Sequence, residues 1–527
     1  MRGGRGAMST PAAAAASGGR SGPDGPLRPG TALLVPPLLL LLLLWLWARG
    51  RGRRGAGPPG PWAWPVLGNA LQLGPLPHLA FGRLARRYGD VFQLRLGGRA
   101  VVVLNGERAI RQALVRLGAQ FAGRPDFPSF RLVSGGRSLA FGPYGEPWRA
   151  QRRLAHAALR AFSAGGGRRL LERHVAAEAR ELAAELLRRG AAGARFDPSA
   201  ALGLASANVI CALCFGRRYG PDDAEFRALL GRNDRFGQTV GAGSLVDALP
   251  WLQAFPNPVR SVFRDFQALT REVHAFVADK MAQHRRSYDP RRPPRHISDA
   301  VLEGAEQAPG GLGRAYAEAT MTDIFGAGQD TTATALCWAL LLLLRHLPLQ
   351  RRLQAELDRV VGRARLPTAD DRAALPQLEA FLCEVLRYSS FVPVTIPHAT
   401  TADVQLDGFY IPRGTVVFIN QWSVNYDPTK WKDPHVFDPG RFLDAEQQLD
   451  RDRAAGVMIF SLGKRRCIGD QLAKLQLFLF TAILLHQCAF EPNPAERLTM
   501  DCVHGLALKP QPFTVSVRPR GEPGGAL

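Results

Sequence analysis

Hydrophobic and polar positions divide this chain into stretches of different pattern. Residues 1–30 scatter Gly, Ala, Ser, Pro and Arg with no apolar period, a composition expected to stay disordered. Thr31–Ala48 follows as 18 residues without a charge, with Leu38–Leu44 at its centre. At about 1.5 Å per residue that run spans roughly 27 Å, enough for a short transmembrane helix. Beyond it the apolar period is mostly helical, with brief alternating segments. The expected fold is mainly α with small β-sheets, preceded by one N-terminal transmembrane helix.

Val91–Leu96 and Ala100–Leu104 flank Gly97-Gly98 as a hairpin. A second small sheet is predicted over Val404–Asn420, with turns at Asp407-Gly408 and Pro412-Arg413-Gly414. Helical patterns cover His174–Arg188, Ala205–Phe215, Ala319–His346 and Asp470–Leu485. Within the third, Ala333–Leu344 is almost wholly apolar. Twelve residues are too few to span a bilayer, so this is expected to be a central buried helix.

The anchor has Pro36 and Pro37 near its start, where a helix tolerates proline, and Trp45 and Trp47 at its end, as at a membrane interface. Arg49, Arg51, Arg53 and Arg54 come next and place the C-terminal side in the cytosol. Arg2, Arg5, Arg20 and Arg28 weaken that asymmetry. A cleaved signal peptide is the competing reading. The arginine-rich exit and the missing Ala-x-Ala site weigh against it. Residues 49–65 form a basic, Pro-rich hinge, stiffened by Pro58-Pro59-Gly60-Pro61 and Pro65. Residues 66–518 then form one body, and 519–527 a tail.

Composition adds charge: 67 Lys and Arg stand against 45 Asp and Glu, a net +22. A nucleic-acid protein shows a similar balance. Here, however, Arg is spread along the whole chain, Lys is rare, and no finger, basic-zipper or RNA-binding pattern occurs. No nucleic-acid partner is expected. A basic surface facing acidic partners and anionic lipid is favoured, with coding bias toward Arg, Ala and Gly as the bland account. Seven widely spaced Cys and the lack of any Asn-x-Ser/Thr site fit a catalytic body in a reducing compartment.

The most specific chemistry lies in Phe460-Ser-Leu-Gly463-Lys-Arg465-Arg-Cys467-Ile-Gly469. One Cys sits between two Gly, directly ahead of a helix whose first amides point toward it and favour its thiolate. Arg465 adds positive charge. Such a thiolate is a nucleophile or a metal ligand, and no local His supplies a base. A buried core Cys in a turn is the bland alternative.

This segment resembles the haem-binding loop of cytochrome P-450 at every fixed position. The resemblance makes Cys467 the axial thiolate of haem b, able to push electron density onto iron, and Arg465 a propionate contact. Glu384-Val-Leu-Arg387 looks like that family's Glu-x-x-Arg pair, and Phe437-Asp-Pro-Gly440-Arg441-Phe442 its partner meander; Gly440 replaces the usual acidic or small residue. Alone, the Glu–Arg spacing would be an ordinary salt bridge. Trp148-Arg-Ala-Gln-Arg152 resembles the Trp-x-x-x-Arg helix that reaches the propionates, and His398 matches a further contact. In Ala327-Gly328-Gln-Asp330-Thr331, a helix-interior Gly needs a reason. The Thr331 hydroxyl can bond the Ala327 carbonyl and open the helix locally, leaving room for dioxygen. By resemblance Asp330 and Thr331 are an acid–alcohol proton relay; packing in a crowded core is the alternative. Cys211-Ala-Leu-Cys214, inside an apolar helix with no second ligand pair, reads as core.

The similarity covers about Pro58 to Val517 and is greatest to the vertebrate family 1 enzymes, subfamily B, with the sister subfamily A as the alternative. Phe391-Val-Pro-Val-Thr-Ile-Pro-His-Ala-Thr-Thr, Gly241-Ala-Gly-Ser-Leu-Val-Asp, Pro250-Trp-Leu-Gln and Ser134-Gly-Gly-Arg-Ser carry the finer match. It implies a monooxygenase that uses O2 and NADPH-derived electrons on flat apolar aromatics, oestrogens, retinoids, other lipids and xenobiotics. The implied partners are an NADPH-dependent flavoprotein reductase and membrane lipid. The implied location is the endoplasmic reticulum membrane with a cytosolic catalytic domain; a minor mitochondrial pool is left open. The positions matching the substrate pocket are Phe141, Asn233, Phe236, Asp323, Gly326, Ala327, Val392, Ile396 and Leu506. The chain has no dinucleotide fingerprint or P-loop, which fits an external electron donor. A haem-thiolate isomerase or dehydratase would need no proton relay. A non-catalytic haem sensor would call for a second axial ligand that Ala327 and Gly328 cannot offer.

Overall fold

A computed structural model describes residues 57–521 except 164, 221, 225, 229, 232–234, 236–244 and 308–311, together with 39–40 and 42–43. The chain divides into Met1–Gly55 and Ala56–Leu527. The predicted anchor lies outside the described residues, apart from those four leucines, which are helical.

The larger unit is mainly helical. Its long helices are α1 (Pro77–Tyr88), α2 (Glu146–Ser163), α3 (Gly165–Arg189), α4 (Ser199–Phe215), α5 (Pro258–Ser287), α6 (Ile297–Gln307), α7 (Gly313–Arg345), α8 (Leu347–Val360), α9 (Pro376–Ser389) and α10 (Asp470–Gln487). The central helix α7 is the longest, and its most apolar stretch is 72% buried. Burial on that scale makes it a core helix, as its twelve-residue apolar run predicts. It starts six residues earlier than its apolar pattern, since Arg314 and Glu318 pair at 2.5 Å and support a polar first turn. Cys211 and Cys214 are fully buried in α4, and burial pushes both thiols up, so the C-x-x-C is core.

Strands β1 (Val91–Leu96) and β2 (Arg99–Leu104) pair antiparallel across Gly97-Gly98. Gly97 has φ +58°, and a Cβ there would lie 2.2 Å from the Ala248 carbonyl oxygen, so only glycine fits. The predicted second sheet splits. Strands β4 (Val404–Leu406) and β5 (Phe409–Ile411) form a separate hairpin, turned by Asp407 and Gly408 at φ +51° and +81°. Strand β6 (Val416–Ile419) instead joins the main sheet, parallel to β2 and antiparallel to β3 (His398–Ala399). All four residues of β6 are buried, so it sits where strands cover both sides, not at the edge of a hairpin. Strands β7 (Cys488–Pro492) and β10 (Val515–Pro519) pair near the C-terminus, as do β8 (Cys502–Val503) and β9 (Lys509–Pro510).

The Pro-rich hinge is tied down along part of its length. The Gln93 amide donates to the Pro59 carbonyl at 2.8 Å, and Trp64 pairs with Gly68. From about Pro58 the chain therefore belongs to the body.

Candidate active site

The loop before α10 is shaped by Gly463 and one buried salt-bridge network, while Gly469, expected to turn the backbone too, has φ −97° and no neighbour that a Cβ would meet. Gly463 has φ +69°, and a Cβ there would overlap the Leu114 carbonyl at 1.8 Å. The loop then folds back, with the Cys467 amide donating to the Phe460 carbonyl at 2.8 Å. Behind it, Glu384 and Arg387 on α9 form a two-pronged ion pair at 2.7 and 2.8 Å with no solvent exposure. Arg441 adds a third bond to Glu384 at 3.2 Å. Arg387 also donates to the Asn425 carbonyl, and the Asn425 side chain brackets both backbone groups of Met458 at 2.8–2.9 Å. The network thus reaches from α9 through the 425–441 meander to the stretch entering the cysteine loop.

Cys467 has exposed surface, yet burial by surrounding protein pushes its thiol above the usual value. The Gly469 amide and the charges of Arg152 and Arg466 pull the other way. Desolvation outweighs these groups in the chain alone. Arg465 does not point at the sulfur. It donates to the carbonyls of Ala122, Leu139 and Gly142 at 2.7–2.9 Å.

Around it lies positive charge, offset in part by Asp323. Arg124, which the sequence reading missed, is half-buried and donates to the carbonyls of Ala140, Ile396 and Pro397. Burial, helped by Arg152, pulls it down to about 9. Burial pulls Arg465 down to about 7, with Arg124 and Arg152 acting in the same direction. A guanidinium remains protonated, so the cluster is poised for anions. Among the described residues no carboxylate pairs with Arg124, Arg152 or Arg465. Gly123 explains how Arg124 arrives: a Cβ there would lie 2.5 Å from the Ala399 carbonyl, and the two backbones bridge. A lone Arg held between Gly123 and Pro125 was the available signal.

Trp148 and Arg152 share one face of α2, with the guanidinium 5.5 Å from the indole centroid. Arg465 lies 4.1 Å from the same ring. The indole N–H donates to the Leu139 carbonyl at 3.0 Å, so in this structure Trp148 acts as a platform for cations. His398 Nδ1 lies 2.7 Å from the Phe121 carbonyl, which accepts only and therefore takes the ring proton. Burial and the charge of Arg124 hold His398 far below its ordinary value. In that neutral form its Nε2 accepts. Donation to a carboxylate from there requires a second proton.

On α7, Thr331 Oγ1 donates to the Ala327 carbonyl at 2.9 Å. α7 runs as one helix from Gly313 to Arg345. Gly328 packs against α4, where a Cβ would meet Ile210 at 2.8 Å. Ala327 is exposed in the middle of α7, between buried Phe325 and Gln329, and a Cβ at Gly326 would meet nothing within 4 Å. Asp330 pairs with Lys509. Asp323 turns to the 138–140 loop, accepting from the Ser138 hydroxyl at 2.8 Å and from the Leu139 amide; burial raises it to about 6. Phe141, Ile396 and Leu506 line one cavity together with Phe130 and Pro393. Val392, Asp323, Gly326 and Ala327 are not part of that cavity, and Asn233 and Phe236 lie outside the described residues.

The cytochrome P450 family model matches residues 58–517, which includes every group described in this site. This chain belongs to the cytochrome P450 family. It is 56% identical over 465 residues to cytochrome P450 1B1 of Homo sapiens and 57% over 464 to that of Mus musculus, covering 86% of each chain. Cytochrome P450 1A1 of Oryctolagus cuniculus is 44% identical over 460 residues, 85% of this chain and 88% of the relative. The higher identity to the 1B1 relatives points to subfamily 1B. The cytochrome P450 fold expected from the sequence is present. The enzyme is a haem-thiolate monooxygenase, and its haem iron is held by a cysteine thiolate. The residues fit that group. A cysteine beside buried Arg465 and half-buried Arg124 and Arg152, none of them paired with a carboxylate among the described residues, suits an iron ligand next to two carboxylates.

Proposed function

We propose that this cytochrome P450 takes electrons from an NADPH-dependent flavoprotein reductase and inserts one oxygen atom from O2 into flat, apolar molecules. The substrate classes are polycyclic aromatics, oestrogens, retinoids and related lipids and xenobiotics. Bound haem supplies the redox and oxygen chemistry. The chain's own residues do the rest. Cys467 Sγ holds the iron, while Arg124, Arg152, Arg465 and, once protonated, His398 hold the propionates. Trp148 supports the two guanidiniums that stack on it. Thr331 Oγ1 holds and passes a proton, with Asp330 as its source. Phe141, Ile396 and Leu506 give the apolar cavity its walls, and the remaining substrate positions are carried from the family resemblance. Thr31–Ala48 anchors the enzyme in the endoplasmic reticulum membrane with its body in the cytosol.

The observation that carries this reading is the exposed Cys467 beside Arg124, Arg152 and Arg465, which no carboxylate pairs among the described residues. The test combines spectrum and turnover. The reduced protein should give the carbon-monoxide spectrum of a thiolate-ligated haem, and Cys467→Ser should abolish it. NADPH should support oxidation of a polycyclic aromatic only when reductase is added, at a rate that falls as salt rises. Thr331→Ala should keep the spectrum while product per NADPH falls. Unchanged coupling across several substrates would remove Thr331 from the relay. Turnover without reductase would remove the partner.

A further inference from the structure

A second cluster lies away from the haem residues, where α5, α6 and the end of α4 meet. His284 stands in the last turn of α5, His296 just ahead of α6, and Asp299 in the first turn of α6. One ligand atom from each falls within 4.8 Å of the others. His284 and Asp299 are buried.

The hydrogen bonds decide where the electron pairs point. His284 Nε2 lies 3.1 Å from the Phe215 carbonyl oxygen, which can only accept, so Nε2 carries the proton. In a neutral ring Nδ1 then presents its lone pair. That pair faces Asp299 Oδ1 at 3.1 Å. Two electron-pair donors so placed need a positive centre between them, either a second proton on His284 or a metal ion. His296 separates the two accounts. Its Nδ1 is buried with no hydrogen-bond partner among the described residues. An imidazolium–carboxylate bridge satisfies His284 and Asp299 and leaves His296 orphaned, whereas a metal ion engages all three.

The surroundings have the form of a second coordination shell. A carbonyl on the far nitrogen of a histidine fixes its tautomer and aims the near one. Arg295 Nε donates to Asp299 Oδ2 at 2.7 Å, the Arg295 amide donates there at 3.1 Å, and Nη2 reaches Oδ1 at 3.1 Å. These bonds hold the carboxylate ionised and fix its plane. Two ligands each about 2.0–2.1 Å from one ion stand roughly 3.0–3.4 Å apart, which matches the His284–Asp299 spacing. Gly216 makes room for the third: it has φ +63°, and a Cβ there would lie 2.2 Å from His296 Nε2. We propose that His284 Nδ1, His296 Nδ1 and Asp299 Oδ1 bind one divalent metal ion of the zinc class, with water completing the shell. The ion ties the end of α5 to the start of α6.

The experiment uses the full-length haem-loaded protein, stripped with a chelator, reloaded with zinc chloride and gel-filtered. Metal analysis should find one more zinc per chain in wild type than in His296→Ala. X-ray absorption at the zinc edge should show nitrogen and oxygen neighbours at about 2.0–2.1 Å. At zinc a hundredfold above its Kd, the unfolding equilibrium should shift about a hundredfold toward the folded state, and His296→Ala should lose that shift. His296→Gln keeps most of the side-chain volume and serves if the alanine variant misfolds. Equal zinc content in wild type and variant would overturn the site, as would sulfur neighbours at about 2.3 Å.

Discussion

Lys509 Nζ stands 2.6 Å from Asp330 Oδ1, joining β9 to the middle of α7. The contact matters because Asp330 is the proposed proton source for Thr331. A lysine from the C-terminal hairpin thus sets where that carboxylate points. Lys509→Met should cost roughly 1–2 kcal/mol in stability, as for a half-buried pair. It should leave the carbon-monoxide spectrum unchanged and lower product per NADPH. Stopped comparisons of NADPH consumed and product formed would check this. Intact coupling would mean that Asp330 is placed by α7 alone.

Glu384 accepts from two arginines and from the Asp438 amide in a fully buried position. Glu384→Gln removes one partner and leaves Arg387 buried with its charge uncompensated. The expected loss is about 3–5 kcal/mol, a large share of a typical domain's stability. Urea unfolding should show a lower midpoint with an unchanged slope. Arg387→Lys should rescue little, because an ammonium cannot reproduce the two-pronged contact.

Gly463→Ala should be damaging out of proportion to one methyl group. The added carbon would overlap the Leu114 carbonyl, and φ +69° disfavours any side chain. The loop must shift, and Cys467 with it. Haem content per folded protein should fall, while circular dichroism stays near wild type.

His78 is buried in α1, and burial holds its imidazole down to about 4 against an ordinary 6.5. The unfolded chain therefore binds the proton first as pH falls. Stability is full above about pH 6.5, is lost between there and pH 4, and is flat below. The loss attributable to this residue is roughly 3 kcal/mol at most. His78→Phe should flatten that part of the pH–stability curve, measured by thermal melts from pH 4 to 8.

The cysteine loop was legible because its parts are local: two glycines, one thiol and a following helix within ten positions. The core role of α7 was legible too, since twelve residues in a row with Thr334 alone polar admit few alternatives. Arg124 was not, because a single arginine gains meaning only when β3 brings His398 beside it. The same holds for His284 and His296, which share no spacing motif and meet only where two helices abut. The neighbour of Gly328 was not legible, because Ile210 comes from another helix. The strand at Val416–Ile419 went to a different sheet because pairing partners are chosen by topology, which local turns do not encode.

That strand has a consequence for how the protein is made. Val101 of β2 pairs with Val416 of β6, and the two are 315 positions apart (416 − 101). At roughly 5–20 residues per second, a ribosome needs about 15–60 s to cover that distance. Throughout that time the β1–β2 hairpin waits with one edge unmated, although its apolar residues are already in place. An open edge of this kind invites pairing with other nascent chains. Slowing elongation late in the message should therefore raise aggregation more than slowing it early. A chaperone that shields Val101–Leu104 would act as a placeholder for a strand not yet synthesised.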